Sequence, residues 1–155
     1  MKSLPIFLLV ALACSVSVYC QSSYEFGGVG DLKGLTTVYI SPEVDMKDRE
    51  RMIKIIAKDL PTVKIMDSLD AASIMLVFGG DSEDTITGVN WNRYGANVVR
   101  VPLEAGTGRV FVEGKEKPRL VLTVSNSQQS RAEKRPVTKF TQAFVKAWKE
   151  ANGIK

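Results

Sequence analysis

Trp91, Arg93 and Tyr94 form the densest group of recognition-type side chains in this 155-residue sequence. Aromatic rings and guanidinium groups dominate binding hot spots, because they bring large contact area and directed hydrogen bonds at small entropic cost. A Trp packed over a sheet is the ordinary structural use of the same residue. Arg109 and the basic turn containing Lys115, Lys117 and Arg119 are the cations expected to support such a surface, chiefly by raising the rate of encounter. Catalytic options are few. The chain has no histidine, so Ser-His-Asp and Cys-His mechanisms, the usual histidine-bearing metal sites and an imidazole general base are all excluded. Its two cysteines are Cys14 and Cys20, both near the N-terminus, which leaves the rest without thiol nucleophiles, thiolate metal sites or iron–sulfur clusters.

Carboxylate pairs, Ser-Lys dyads and Asp/Glu metal sites survive that exclusion. The loop-borne candidates are Glu104 and the Asp81-Ser82-Glu83-Asp84 run. The run lacks the alternating oxygen ligands and the distal bidentate Glu of an EF-hand loop, so it reads as a solvated turn. No catalytic residue, metal site or cofactor is assigned, and the balance is against an enzyme. The glycines at 27, 28 and 30 do not read as a phosphate loop, since no strand precedes them, and Gly106-Thr107-Gly108 is turn chemistry with no helix after it.

The N-terminus bears on location. Met1-Lys2 is a short positive start, Leu4 to Val18 is almost wholly apolar, and Gln21-Ser22-Ser23 is polar. This is the layout of a secretory signal peptide over residues 1–20, with Val18-Tyr19-Cys20 as the cleavage sequence, and the apolar run is short for a membrane span. Neither Cys14 nor Cys20 follows the leucine-and-small-residue pattern of a lipid-attachment site, so lipidation at either is not expected. Export and the absence of cysteine beyond Cys20 leave stability to the core alone, for which residues 35–155 are numerous enough. Charge is uneven. Residues 21–99 carry 8 Lys/Arg against 12 Asp/Glu, and residues 100–155 carry 12 against 5. A basic half suits an anionic envelope component or an acidic partner, though a solvated surface is the simpler reading. Nucleic acid is not an expected partner, because no dense basic stripe is present.

The elements that would position these residues follow from periodicity. Residues 21–34 read as a flexible linker. Leu35 to Ile40 is β-branched and aromatic, a strand. Asp45 caps a helix over about 45–60, with Met46, Met52, Ile53, Ile56, Ala57 and Leu60 at helical spacing and Pro61 to end it. Val63 to Met66 and Ser73 to Phe78 are further strands, the first of them parallel to 35–40 across the helical crossover. The unbroken Ile74-Met75-Leu76-Val77-Phe78 run predicts a strand covered on both faces. Val98–Leu103 and Arg109–Glu113 read as a hairpin about Glu104–Gly108, Leu120–Ser125 as a last strand, and 136–152 as a helix with Asn152-Gly153 as its stop. Together these predict one α+β domain over 35–155. It is a two-layer sandwich with a mixed sheet of six or seven strands and both helices packed on it.

The order of an exported N-terminus, Thr37-Val38-Tyr39-Ile40-Ser41, one helix, Val63-Lys64-Ile65-Met66-Asp67 and Asp70-Ala71-Ala72-Ser73-Ile74-Met75-Leu76-Val77-Phe78 resembles small bacterial envelope α/β proteins of unassigned function. It is similar in layout to periplasmic accessory domains of outer-membrane assembly. The resemblance covers residues 35–80 and implies no catalytic residues. The function it implies is a non-catalytic binding or accessory module of the cell envelope, periplasmic or secreted, with another envelope protein or an anionic envelope component as partner. A carboxylate-dependent hydrolase of cell-wall material is the alternative. Membrane association would follow only from lipidation or an uncleaved signal.

Overall fold

The computed structural model describes residues 24–42, 44–79, 85–92, 95–102, 106–125 and 136–154. Ile74–Phe78 (β4) lies inside a six-stranded mixed sheet, and all five of its residues are buried. Alternation divides them between two clusters. Ile74, Leu76 and Phe78 join the large core, while Met75 and Val77 join a smaller one on the other face. A strand with no polar alternation therefore lies where the sequence places it, with both faces covered.

On one side β4 pairs in parallel with Thr37–Ile40 (β2), and β2 pairs in parallel with Lys64–Met66 (β3). The crossover between β2 and β3 is the helix Met46–Asp59 (α1). The Asp45 carboxylate accepts from the Lys47 N–H at 2.9 Å, satisfying one of the donors that a helix start leaves free. Met52, Ile56 and the following Leu60 are buried. Met46, expected on the same stripe, is 75% exposed. It is the first residue of the helix.

On its other side β4 pairs antiparallel with Gly108–Val112 (β7), and β7 with Arg119–Val124 (β8). This corrects the expected hairpin between 98–103 and 109–113. Gly95–Pro102 (β6) pairs instead with Thr85–Asn92 (β5), in a separate two-stranded sheet. Two residues separate β5 from β6, so their ladder closes at small entropic cost without recognisable turn chemistry. Pro102, which has no N–H to give, sits at the end of its strand, as a proline in a ladder should.

The expected linker also proves to be part of the fold. Glu25–Phe26 (β1) adds in parallel to the β8 edge, with Glu25 N–H donating to the Pro118 carbonyl and Gly27 N–H to that of Leu120, both at 2.9 Å. Val29–Leu32 forms a 3₁₀ turn whose Leu32 is fully buried. The resulting strand order is β1-β8-β7-β4-β2-β3.

The helix Pro136–Ala151 (α2) buries Val137, Phe140, Phe144 and Trp148 in the large core, as its spacing predicts. Phe140 stacks on Phe78 of β4, ring centroids 5.8 Å apart. Gly108 makes this approach feasible, because a β-carbon there would overlap the Phe140 ring. At the C-terminal end Gly153 takes φ 68°. Ile154 N–H then reaches the Lys149 carbonyl and Gly153 N–H that of Glu150, the paired bonds of a left-handed helix stop. Asn152 does more than end the helix. Its side chain accepts from Gly34 N–H at 2.8 Å and donates to the carbonyls of Leu32 and Trp148. With Trp148 Nε1 donating to the Leu35 carbonyl at 2.7 Å, it ties α2 to the segment that leads into β2.

Candidate functional site

The segments leading to and from the second sheet are bonded side by side at the end of the body. Gly79, just after β4, donates its N–H to the Thr107 carbonyl at 2.9 Å, and Gly106 donates to the Gly79 carbonyl at 3.0 Å. The chain therefore leaves the body beside the place where it returns. Topologically β4 and β7 are the two strands of a hairpin, and β5–β6 is an arm inserted at its tip. Among the described residues the arm strands bond to each other and to no other strand. β6 runs beside the Leu69–Ala71 turn, whose Leu69 belongs to the smaller cluster on the sheet face away from the helices.

Eight residue pairs make up the arm, from Thr85 opposite Pro102 at its root to Asn92 opposite Gly95. At about 3.3 Å per residue it is roughly 26 Å long. Trp91 pairs with Ala96, one step from the far end. Arg93 and Tyr94 are the two residues linking Asn92 to Gly95 in the chain, and they lie outside the described residues. Of the expected recognition group, Trp91 is thus placed at the distal end of the arm.

The expected supporting cations belong to other elements. Arg109 belongs to β7, in register between Val77 of β4 and Thr123 of β8. Its Nε is buried and has no hydrogen-bond partner, while the residue as a whole is half-buried. That is the posture of an arginine whose stem covers apolar surface while its end reaches outward. Lys115 and Lys117 sit in the turn between β7 and β8, where Lys117 is half-buried and a β-carbon on Gly114 would collide with the Lys117 carbonyl. Arm and basic turn leave β7 at opposite ends, about 17 Å apart for a five-residue strand.

Arg119 already has a partner within the body. Its guanidinium lies 3.0 Å from the Asp31 carboxylate, whose other oxygen accepts from Gly28 N–H at 3.0 Å. It pins the 3₁₀ turn to the start of β8, so its role is structural. Asp31 was not singled out in the sequence, since a lone Asp after glycines gives no hint of a partner 88 positions away. Of the seven residues expected to form one surface, the five that are described are divided among arm, sheet and turn.

Among the described residues no group of three His, Cys, Asp or Glu side chains is close enough to hold a metal ion. Nor is any helix there long and apolar enough to cross a membrane. The Asp81–Asp84 run, Glu104, Cys14 and Cys20 lie outside the described residues. One more aromatic feature comes from tertiary structure alone. Phe26, 79% exposed on the edge strand β1, meets Tyr24 edge-on at 5.6 Å, and Tyr24 meets the buried Phe111 in the same way. Comparison with protein-family models, with curated proteins and with solved structures finds no match to this chain.

Proposed function

We propose that this protein is an extracytoplasmic, non-catalytic binding or accessory module of the bacterial cell envelope, and that it engages its partner through the distal end of the β5–β6 arm. The observation that carries the reading is the insertion. A two-stranded sheet leaves and re-enters the body at the bonded pair of Gly79 with Gly106 and Thr107. It adds no strand to the sheet that holds the core, and it carries Trp91 one pair from its far end. Elements that recognise partners are commonly projected from a rigid scaffold in this way. The apolar N-terminus and polar residues after it support the location, and the lack of histidine and of cysteine beyond Cys20 supports the non-catalytic character.

The double substitution Trp91→Ala with Arg93→Ala is expected to abolish capture of the envelope partner in crosslinking from intact cells, while the melting temperature stays within about 2 °C of the parent, as for substitutions outside the core. Loss of stability with capture retained would make Trp91 a packing residue and remove the arm from the reading. Intact mass of the native protein in soluble and envelope fractions tests location, with a species beginning at Gln21 expected.

A further inference from the structure

Asn152-Gly153 is the one Asn-Gly pair in the sequence, and the fold places it where α2 is tied to the N-terminal segment. Asparagine is chemically labile, most of all before glycine, where no side chain crowds attack by the next backbone nitrogen on the asparagine carboxamide. The two residues differ in their surroundings. Gly153 is exposed, and nothing stands within 4 Å of where a β-carbon on it would lie. Solvent base and a forming ring therefore have room. The Asn152 carboxamide is held instead. Its Oδ1 accepts from Gly34 N–H at 2.8 Å, and its Nδ2 donates to the Trp148 carbonyl at 2.8 Å and the Leu32 carbonyl at 3.4 Å. The attacking nitrogen is engaged too, since Gly153 N–H donates to the Glu150 carbonyl at 3.2 Å. Neither group is available for reaction while these bonds are made.

We propose that Asn152 is a deamidation site gated by its own hydrogen bonds, and that its reaction irreversibly loosens the N-terminal segment from α2. When the end of α2 opens, the Gly153 nitrogen is freed, loses its proton to base and attacks Asn152 Cγ. The N–Cγ bond forms, the Cγ–Nδ2 bond breaks, and ammonia leaves with the proton that the backbone nitrogen gave up. Water then opens the resulting succinimide at either carbonyl, giving aspartate or isoaspartate. Water enters, ammonia leaves, and nothing is oxidised or reduced. Aspartate keeps an acceptor for Gly34 N–H but has no donor for the Leu32 and Trp148 carbonyls. It also sets a carboxylate against those carbonyls at the negative end of the helix dipole. Isoaspartate routes the chain through the side-chain carbon, so the stop formed by Gly153 with Glu150 and Ile154 with Lys149 loses its register. Either product weakens one tie of residues 32–35 to α2 and leaves the other, from Trp148 to Leu35.

The test incubates the full protein at mildly alkaline pH, folded in buffer and unfolded in guanidinium chloride. Residue 152 is followed by peptide mapping that separates aspartate from isoaspartate. Deamidation with isoaspartate among the products is expected in both, faster at higher pH because the nucleophile is the deprotonated nitrogen. It should run roughly 10-fold slower in the folded protein, the factor set by opening a tie of this strength. Trp148→Phe removes the Nε1 donor of the companion bond to Leu35. It should speed the folded-state reaction in step with hydrogen exchange at Gly34 N–H. If that variant fails to fold, the parent in denaturant below its unfolding transition serves, and the two rates should again rise together. Asn152→Asp stands for one product at full occupancy. It should speed exchange over residues 29–35 roughly 5-fold while β4 stays protected.

Equal rates in the folded and unfolded protein, or a folded-state rate that does not follow exchange at Gly34, would show that the tie does not gate the site. Aspartate without isoaspartate would exclude the succinimide route, and unchanged exchange in Asn152→Asp would show that the product releases nothing. Each of these overturns the proposal, as does an unmodified residue 152 in the unfolded chain. None of them bears on the arm as a binding element, since no arm residue takes part.

Discussion

The body and the arm are built from similar residues and held together by different means. In the body, β4 has a hydrogen-bonded neighbour on each side and a hydrophobic cluster on each face. Its strands are supplied by segments far apart in sequence, with β1 joining β8 from more than 90 positions away. The arm has one ladder, formed between two strands separated by two residues. A two-stranded sheet by itself contributes little stability in water. Folding free energy therefore resides chiefly in the body.

That contrast can be broken first at α2. Phe140→Ala removes a fully buried ring that stacks on Phe78. A loss of about 3–5 kcal/mol is expected, much of the stability of a domain this size, and it would be read from urea unfolding. If Trp91→Ala proved equally damaging, the division between body and arm would fail.

A smaller effect is expected at the tie between α2 and the N-terminal segment. Asn152→Ala leaves the Gly34 N–H and the Leu32 carbonyl without their side-chain partner, at a cost of about 1–2 kcal/mol. Hydrogen exchange sharpens this, since faster exchange should be confined to residues 29–35 and the last turn of α2 while β4 stays protected. A loss spread evenly over the sheet would show instead that this tie belongs to the central cooperative unit.

The smallest effect is at the surface pair. Arg119→Gln removes an ion pair whose side chains are 39% and 25% exposed, so less than about 1 kcal/mol is expected, vanishing at high salt. Partner capture should be unchanged, because Arg119 faces Asp31 and lies in the body. Weakened capture would return the basic turn to the binding surface.

How far the fold was readable varies with the range of the interactions that decide it. Both helices followed from apolar spacing with capping and stop residues, as did the doubly covered β4, because those signals are local. The pairing of β6 was misread because Gly106-Thr107-Gly108 has the chemistry of a tight turn and Arg93-Tyr94 has none. In the structure the glycines mark where the arm rejoins the body. The linker was misread for a similar reason. Gly27-Gly28 and Gly30 read as flexibility, while Leu32, Asp31 and Gly34 are secured by β8 and Asn152. As for the candidate site, residue type alone singled out Trp91, while the topology decides that its arm and the 115–119 turn leave β7 at opposite ends.

Composition and local pattern alone determined an α+β domain with two amphipathic helices, the exclusion of histidine chemistry and, beyond Cys20, of thiol chemistry, and a nominated aromatic-arginine group. Each of these depends on residues within a few positions of one another, or on residues that are absent. Tertiary structure alone decided that β4 and β7 are neighbours, that β5–β6 is an insertion between them, and that β1 completes the sheet. Strand neighbours are chosen by which buried faces and free ladder edges remain after distant segments have packed, and no local stretch of sequence carries that choice.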